Sequence, residues 1–392
     1  MPSGARTSTP ASHPAFTRAS ARSAVTDDGR RGQRVASLLG IALGVSFTIC
    51  FLTGIFSHLA QHPPSWFTLP AQPAGLYRVT QGVHVATGIA AIPLLLAKLW
   101  SVYPKLFQWP PLRSVAHALE RLSLIPLVAG SLFMLFSGVA NIDLWYPLPL
   151  FFPAGHYWVA WLTMGALIVH IGAKAAVARH ALTRSIPDSP TTETRHDRRR
   201  FLVAVGAASG LLTLLTVGET VNPLRRLALL APRDPDVGTQ GFPVNNAARE
   251  AGVVDAATDP AWRLSVTGAV EHRLELSRAE LEQLPQREAT LPIACVEGWS
   301  ASRRWRGVSL PVLLSLAGAP AGASVTVRSL GRGLYDQSDL DADQTTHPDT
   351  LLALAADGET LALDHGYPVR LIGPDRPGVM QTKWLTEIEV RA

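Results

Sequence analysis

Five long runs of uncharged apolar residues fill the first half of the chain: Val35–Ser57, Val79–Ala97, Leu122–Ile142, His156–Ala173 and Phe201–Gly218. Each is close to the roughly 17–25 residues that a membrane-spanning helix needs. The pattern predicts a four-helix bundle over residues 35–178. A cytoplasmic loop and a fifth, anchoring helix follow over 179–218. The preceding residues, 1–34, are rich in Ser, Thr, Ala, Pro and Arg and carry no apolar periodicity, which predicts a disordered tail.

Beyond the fifth run the period changes. Residues 219–241 contain Pro223, Pro232, Pro235 and Gly238 and read as a linker. From Phe242 to the end, short β-type runs alternate with turns. Strands are expected at Trp262–Val266, Ala289–Ala294, Ser324–Val327, Pro368–Ile372 and Glu387–Val390. Helical pieces are expected at Arg278–Gln283, Leu310–Leu316 and Thr350–Ala355. Residues 242–392 therefore predict one α+β, mostly β domain, large enough for its own core.

Composition agrees with a bilayer partner. The chain is 47% hydrophobic and only 17% charged. Its net charge of +5 comes from localised arginines, which follow topology and not a nucleic-acid footprint. The tail and the second and fourth loops hold six, four and seven Lys or Arg, whereas the first and third loops hold Arg78 alone. The positive-inside rule then places the N-terminus in the cytoplasm and the C-terminal domain outside. Two cysteines make no disulfide framework, and Cys50 lies within an apolar run.

Chemistry-bearing residues occur in both halves. His58, His84, His117, His156 and His170 lie in or at the ends of the first four apolar runs. Ionisable groups at such depth mark functional positions, and neutral imidazole is a usual axial ligand of haem. His156 and His170 are 14 residues apart, which returns to nearly one helix face about 21 Å further on. That spacing suits a haem near each membrane surface, with His58, His84 and His156 in the outer layer and His117 and His170 in the inner one. Interfacial hydrogen bonding is the plainer role for His58 and His117. In the other half, Cys295 ends a β-type run. A polar turn with Arg303, Arg304 and Arg306 is expected after it. A thiol beside clustered guanidiniums is biased toward thiolate, the form that binds metal.

Three resemblances sharpen this picture. The histidine-bearing helices over about 35–178 resemble small membrane cytochromes b, although Lys98 stands where such proteins often repeat the 14-residue histidine spacing. Asp197 to Leu202, with Arg198 and Arg199, resembles a twin-arginine export signature. Asp364 to Pro374, with His365 and Arg370, followed by Gly378 and Lys383–Trp384, resembles the molybdopterin-binding core of the sulfite oxidase family. Cys295 falls on that family's molybdenum ligand. Val296 to Ser300 resembles the periplasmic methionine sulfoxide reductase branch. The resemblance implies that His365, Arg370 and Lys383 contact the pterin and its phosphate. It implies the same more weakly for Asn245 and Asn246.

The expected protein is thus a molybdopterin enzyme fused to a cytochrome b-like membrane domain, with molybdopterin and one or two b-type haems. It would exchange electrons with membrane quinone or quinol and act on a small-molecule or protein-bound sulfur centre, with Arg303 or Arg304 at the substrate mouth. Reduction of S-oxides leads. A sulfite-type dehydrogenase and a metal-free docking or electron-carrier protein are the alternatives.

Overall fold

The structure is a computed structural model that describes residues 32–106, 115–183, 192–217, 222–333 and 335–391. The expected tail lies outside the described residues up to position 31. Five helices follow: α1 (Gln33–Gln61), α2 (Leu76–Leu106), α3 (Val115–Ile142), α4 (Phe152–Thr183) and α5 (Thr192–Val217). All five include segments long and apolar enough to cross a membrane. Their outward sides expose Leu52, Ile125, Leu162 and Ile168, side chains that suit lipid rather than water. Small residues let the helices approach closely: a Cβ placed on Gly130 of α3 would collide with the Thr163 side chain of α4. The twin-arginine-like stretch lies within α5.

The C-terminal residues build two sheets. β1 (Leu264–Gly268), β2 (Leu274–Leu276), β5 (Val325–Ser329), β6 (Gln337–Leu340) and β10 (Leu385–Val390) form one, ordered β2-β1-β10-β5-β6. Only β1 and β10 run parallel in it. The second is ordered β3-β4-β7-β8, from β3 (Gln286–Ala294), β4 (Ser300–Ser309), β7 (Leu351–Ala356) and β8 (Glu359–Thr360); β9 (Arg370–Ile372) also pairs with β7. Short helix α6 (Val254–Thr258) precedes β1, and three more lie between strands: α7 (Arg278–Gln283), α8 (Leu310–Leu316) and α9 (Ala342–Thr346). α7 opens with a capping box formed by Ser277 and Glu280, which satisfies two orphan N–H groups. The main core gathers Leu264, Val266, Leu281, Val308, Leu313, Val325, Leu371 and Ile388.

Two local expectations were wrong. Residues 350–355 were expected to be helical, but Leu351–Ala356 form β7, buried at every position between β4 and β9. A short Leu/Ala run fits a buried strand and a buried helix equally by period, and here two neighbouring strands decide. The polar turn was expected to include the arginines. The turn is only residues 295–299, and Arg303, Arg304 and Arg306 lie on β4, opposite Leu291, Thr290 and Glu288.

The halves meet where the β3–β4 hairpin touches the N-terminal end of α2. The Asp375 carboxylate accepts from the Tyr77 amide, and the Asp375 amide donates to the Ala74 carbonyl. Gln72 reaches His347 at 3.0 Å. The Asp375 carboxylate thus serves an N–H that the first turn of a helix leaves without an internal partner.

A candidate molybdenum and pterin site

Cys295 sits at the tip of the β3–β4 hairpin. Its amide donates to the Trp299 carbonyl at 3.0 Å, and the Gly298 amide donates back to the Cys295 carbonyl at 3.1 Å. Gly298 has φ +102°, a left-handed conformation that glycine adopts without strain. The thiol is buried. The Asn245 amide donates to Sγ at 3.1 Å and to Glu297 Oε1 at 2.8 Å. Glu297 also accepts from the Trp299 indole at 3.0 Å and lies 3.4 Å from the Arg233 guanidinium.

Burial pushes the thiol's pKa up, and the Glu297 charge adds to this. The expected bias toward thiolate is therefore corrected. Arg303 turns away, donating to the Pro235 and Gly241 carbonyls and pairing with Asp236. Arg304 is exposed, with its amide on Asp357. Among the described arginines it is Arg233, from the expected linker, that reaches Glu297 beside the sulfur. A metal at Sγ must displace the proton, as thiolate ligation requires.

A second cluster lies behind the thiol on the 363–384 segment. The His365 ring is 1% exposed, donates from Nε2 to the Thr239 carbonyl at 2.6 Å and stacks on Phe242 at 3.6 Å. Burial and the neighbouring Arg370 hold its pKa down at about 3, so it is neutral. Arg370 is buried, donates to the His365 carbonyl at 3.2 Å and leaves Nε without a partner. Burial lowers it to about 9. The Lys383 ammonium donates to the carbonyls of Asn245, Asn246 and Asp364 at 2.8 to 2.9 Å and lies over the Trp384 ring, 4.7 Å from its centroid. Burial, then Arg370, lowers it to about 7. Gly366, at φ +109°, lets the two cationic residues close in: a Cβ there would stand 3.1 Å from the Cβ atoms of both.

Residues 251–392 match the family described as oxidoreductase molybdopterin binding domain. That segment is a molybdopterin-binding oxidoreductase domain. Two curated relatives agree with parts of the chain. A putative protein-methionine-sulfoxide reductase subunit YedZ1 of Azospira oryzae is 34% identical over 167 residues, 41% of this chain and 61% of the relative. An uncharacterized oxidoreductase YuiH of Bacillus subtilis is 32% identical over 129 residues, 33% of this chain and 64% of the relative. The chain thus spans less than two thirds of either. The sulfane dehydrogenase SoxCD of Paracoccus pantotrophus is 25% identical, with a TM-score of 0.32 over 34% of this chain and 38% of its own.

The molybdopterin domain fits its cofactor by its own geometry. The buried Arg370, with an unpaired Nε, and the half-buried Lys383 have no ion-paired carboxylate among the described residues and form a socket that an anion such as the pterin phosphate would satisfy. Asn245 Oδ1 and, at the start of β4, Ser300 Oγ are also buried without partners. Asn245 links the two clusters, with its side chain on the sulfur and its carbonyl on Lys383. Its neighbour Asn246 offers a carbonyl to Lys383 from a left-handed backbone, φ 59°.

In the membrane half, the structure brings His84 of α2 and His156 of α4 together. Their ring centroids are 6.2 Å apart across a cavity of about 80 Å³. His84 Nδ1 faces the Cys50 carbonyl at 2.8 Å and His156 Nδ1 faces Ser137 Oγ at 2.8 Å. Such partners on Nδ1 fix the tautomer that leaves Nε2 as a metal ligand. One metal between two imidazoles, at about 2 Å from each nitrogen, needs centroids roughly 6 Å apart. His58 is not in this pair: it stacks on Tyr157 at 3.8 Å and on His62 at 4.9 Å. His170 is half-buried further along α4. Lys98 donates to the Ala36 carbonyl of α1. The His117 side chain lies outside the described residues.

Sequence reasoning missed Arg233 and Gln81, whose amide donates to the Val296 carbonyl at 2.9 Å. Neither carries a local motif. Tyr335 has its hydroxyl pKa raised by burial and then by Cys295. Tyr146, from the loop between α3 and α4, is raised by burial and then by Glu297 and Cys295.

Proposed function

We propose that this protein is a membrane-anchored molybdenum oxidoreductase that reduces S-oxides, with methionine sulfoxide as the leading substrate. The net reaction takes one sulfoxide, two electrons and two protons to one thioether and one water. The S=O bond breaks, its oxygen leaves as the water, and quinol supplies the electrons as it is oxidised to quinone. The observation that carries this reading is a buried thiol joined through Asn245 to Lys383, with Arg370 close beside that lysine, on a turn resting against the helix that bears His84. The name of the YedZ1 relative supports the choice of sulfur substrate.

The proposed divisions are a membrane domain over 35–178, a loop and fifth helix over 179–218, a linker over 219–241 and a catalytic domain over 242–392. The loop arginines favour a cytoplasmic N-terminus and a catalytic domain outside. The twin-arginine-like pair then serves to export a domain already folded around its cofactor.

Cys295, as thiolate, holds molybdenum, and Asn245 steadies the sulfur by its N–H. Arg370 and Lys383 grip the phosphate, while His365 lines the pterin with a neutral ring. His84 and His156 hold one b-type haem. Bound there, the pterin-held molybdenum supplies oxygen-atom transfer and the haem supplies single-electron steps. Tyr335 and Tyr146 keep their protons at neutral pH and can donate to an S=O oxygen. The proposed cofactors remain molybdopterin and one or two b-type haems, one of them held by His84 and His156.

The test is a substrate screen on purified protein with the haem reduced by quinol. Haem oxidation on adding methionine sulfoxide is the expected result. Haem reduction on adding sulfite to the oxidised protein would instead make it a sulfite-type dehydrogenase. A well-folded preparation without molybdenum would leave only the docking role.

A further inference from the structure

Helix α2 touches both proposed redox centres. Its residues 77, 84 and 85 each lie three or four positions from 81, so the four fall on one side of the helix. Tyr77 and Gln81 contact the same hydroxyl on α1: Ser57 Oγ lies 3.1 Å from the Tyr77 hydroxyl and donates to Gln81 Oε1 at 3.0 Å. The other end of the Gln81 amide donates to the Val296 carbonyl at 2.9 Å. Val296 follows Cys295 directly. One turn on, about 4.5 Å along the axis, His84 faces His156. Val85 closes the contact, since a Cβ on Gly298 would stand 3.2 Å from both its methyl carbons.

We propose that Gln81 is the positioning residue that couples the cysteine turn to the haem helix, and that electrons cross between the halves along the Cys295–Val296···Gln81–His84 route. This rests on the reading of molybdenum at Cys295 and iron between His84 and His156. The proposed flow is two successive one-electron crossings per sulfoxide reduced, with quinol as the reductant. Three observations support Gln81 in particular. It is 5% exposed. Its amide is used at both ends. Among the described residues its hydrogen bond is the one from the membrane helices to residues 295–299. The other polar contacts of this end of α2, those of Tyr77, Ala74 and Arg78, go to Asp375 and to Ser302 on β4. They dock the domain; Gln81 sets where its cysteine lies.

The experiment uses the full chain in detergent with haem and molybdenum contents measured first. Gln81→Leu removes both hydrogen bonds, and Gln81→Glu keeps the acceptor for Ser57 but cannot donate to Val296. Thr80→Val is the control, because the Thr80 hydroxyl bonds only to carbonyls of its own helix. Loss of one hydrogen bond should speed exchange of the 296–299 amides about fivefold. Oxidation of pre-reduced haem by methionine sulfoxide should slow severalfold in both Gln81 variants. Turnover driven by a viologen dye that reduces molybdenum directly should stay at the wild-type level, as should the haem spectrum and KM. Unchanged amide exchange in Gln81→Glu, or unchanged haem oxidation at full cofactor loading, overturns the proposal. Missing haem or molybdenum in the wild-type protein would instead overturn the functional reading, while the amide exchange still tests the coupling.

Discussion

Arg370→Met should stabilise the cofactor-free protein and at the same time strip it of cofactor. Burial holds the Arg370 guanidinium at about 9. Against the ordinary 12.5 or above, this corresponds to about 5 kcal/mol of lost solvation for the charged form. Two contacts offset it. The hydrogen bond to the His365 carbonyl contributes about 1.5–3 kcal/mol, and the guanidinium over Trp305, 5.8 Å from its centroid, contributes about 0.5–1 kcal/mol. A net penalty of about 1–3 kcal/mol remains, because no carboxylate pairs with the group. Methionine fills similar volume without charge, so the melting temperature of cofactor-free protein should rise by a few degrees. In the loaded protein the same guanidinium faces an anion. Its loss should cost about 2–5 kcal/mol, at least about 30-fold in cofactor affinity. The assay pairs thermal melts of protein from a pterin-deficient host with molybdenum and pterin assays of protein from a competent one. A variant that melts lower when cofactor-free and retains wild-type molybdenum would refute the socket argument.

His84→Ala and His156→Ala should each abolish the haem Soret band, whereas His58→Ala, which removes only a ring stack, should keep it; equal loss in all three would displace the proposed pair. Lys383 is held near 7 in the cofactor-free protein, and a bound phosphate would raise it. Binding therefore takes up a proton above pH 7 and none below, so pterin retention should weaken as pH rises from about 7 to 9, by up to about tenfold per unit. Lys383→Gln should flatten that slope, as measured by pterin release. Arg303→Ala should leave KM unchanged but lower the melting temperature, because Arg303 ties down residues 235–241; the loss of its carbonyl bonds is worth about 1.5–3 kcal/mol. A raised KM would return Arg303 to the substrate mouth.

The length and polarity of the apolar runs determined the five membrane helices from sequence alone, because a bilayer tolerates little else over such stretches. The segment from His365 to Lys383 was legible for a different reason: the motif that resembles a molybdopterin core lies within about twenty positions of chain, inside the matched residues 251–392. His84 and His156 were legible as ionisable groups in apolar helices, but only the assembled bundle brought their rings to 6.2 Å, tilted by 64°. The surroundings of Cys295 were decided by tertiary structure. Of the arginines close in sequence, Arg303 turned to the 235–241 segment, while Arg233, Asn245 and Gln81 arrived from distant parts of the chain. A strand alternates its side chains between two faces, so nearness in sequence does not deliver nearness in space. The same holds for Leu351–Ala356, whose own pattern suits helix or strand until β4 and β9 offer hydrogen bonds on both edges.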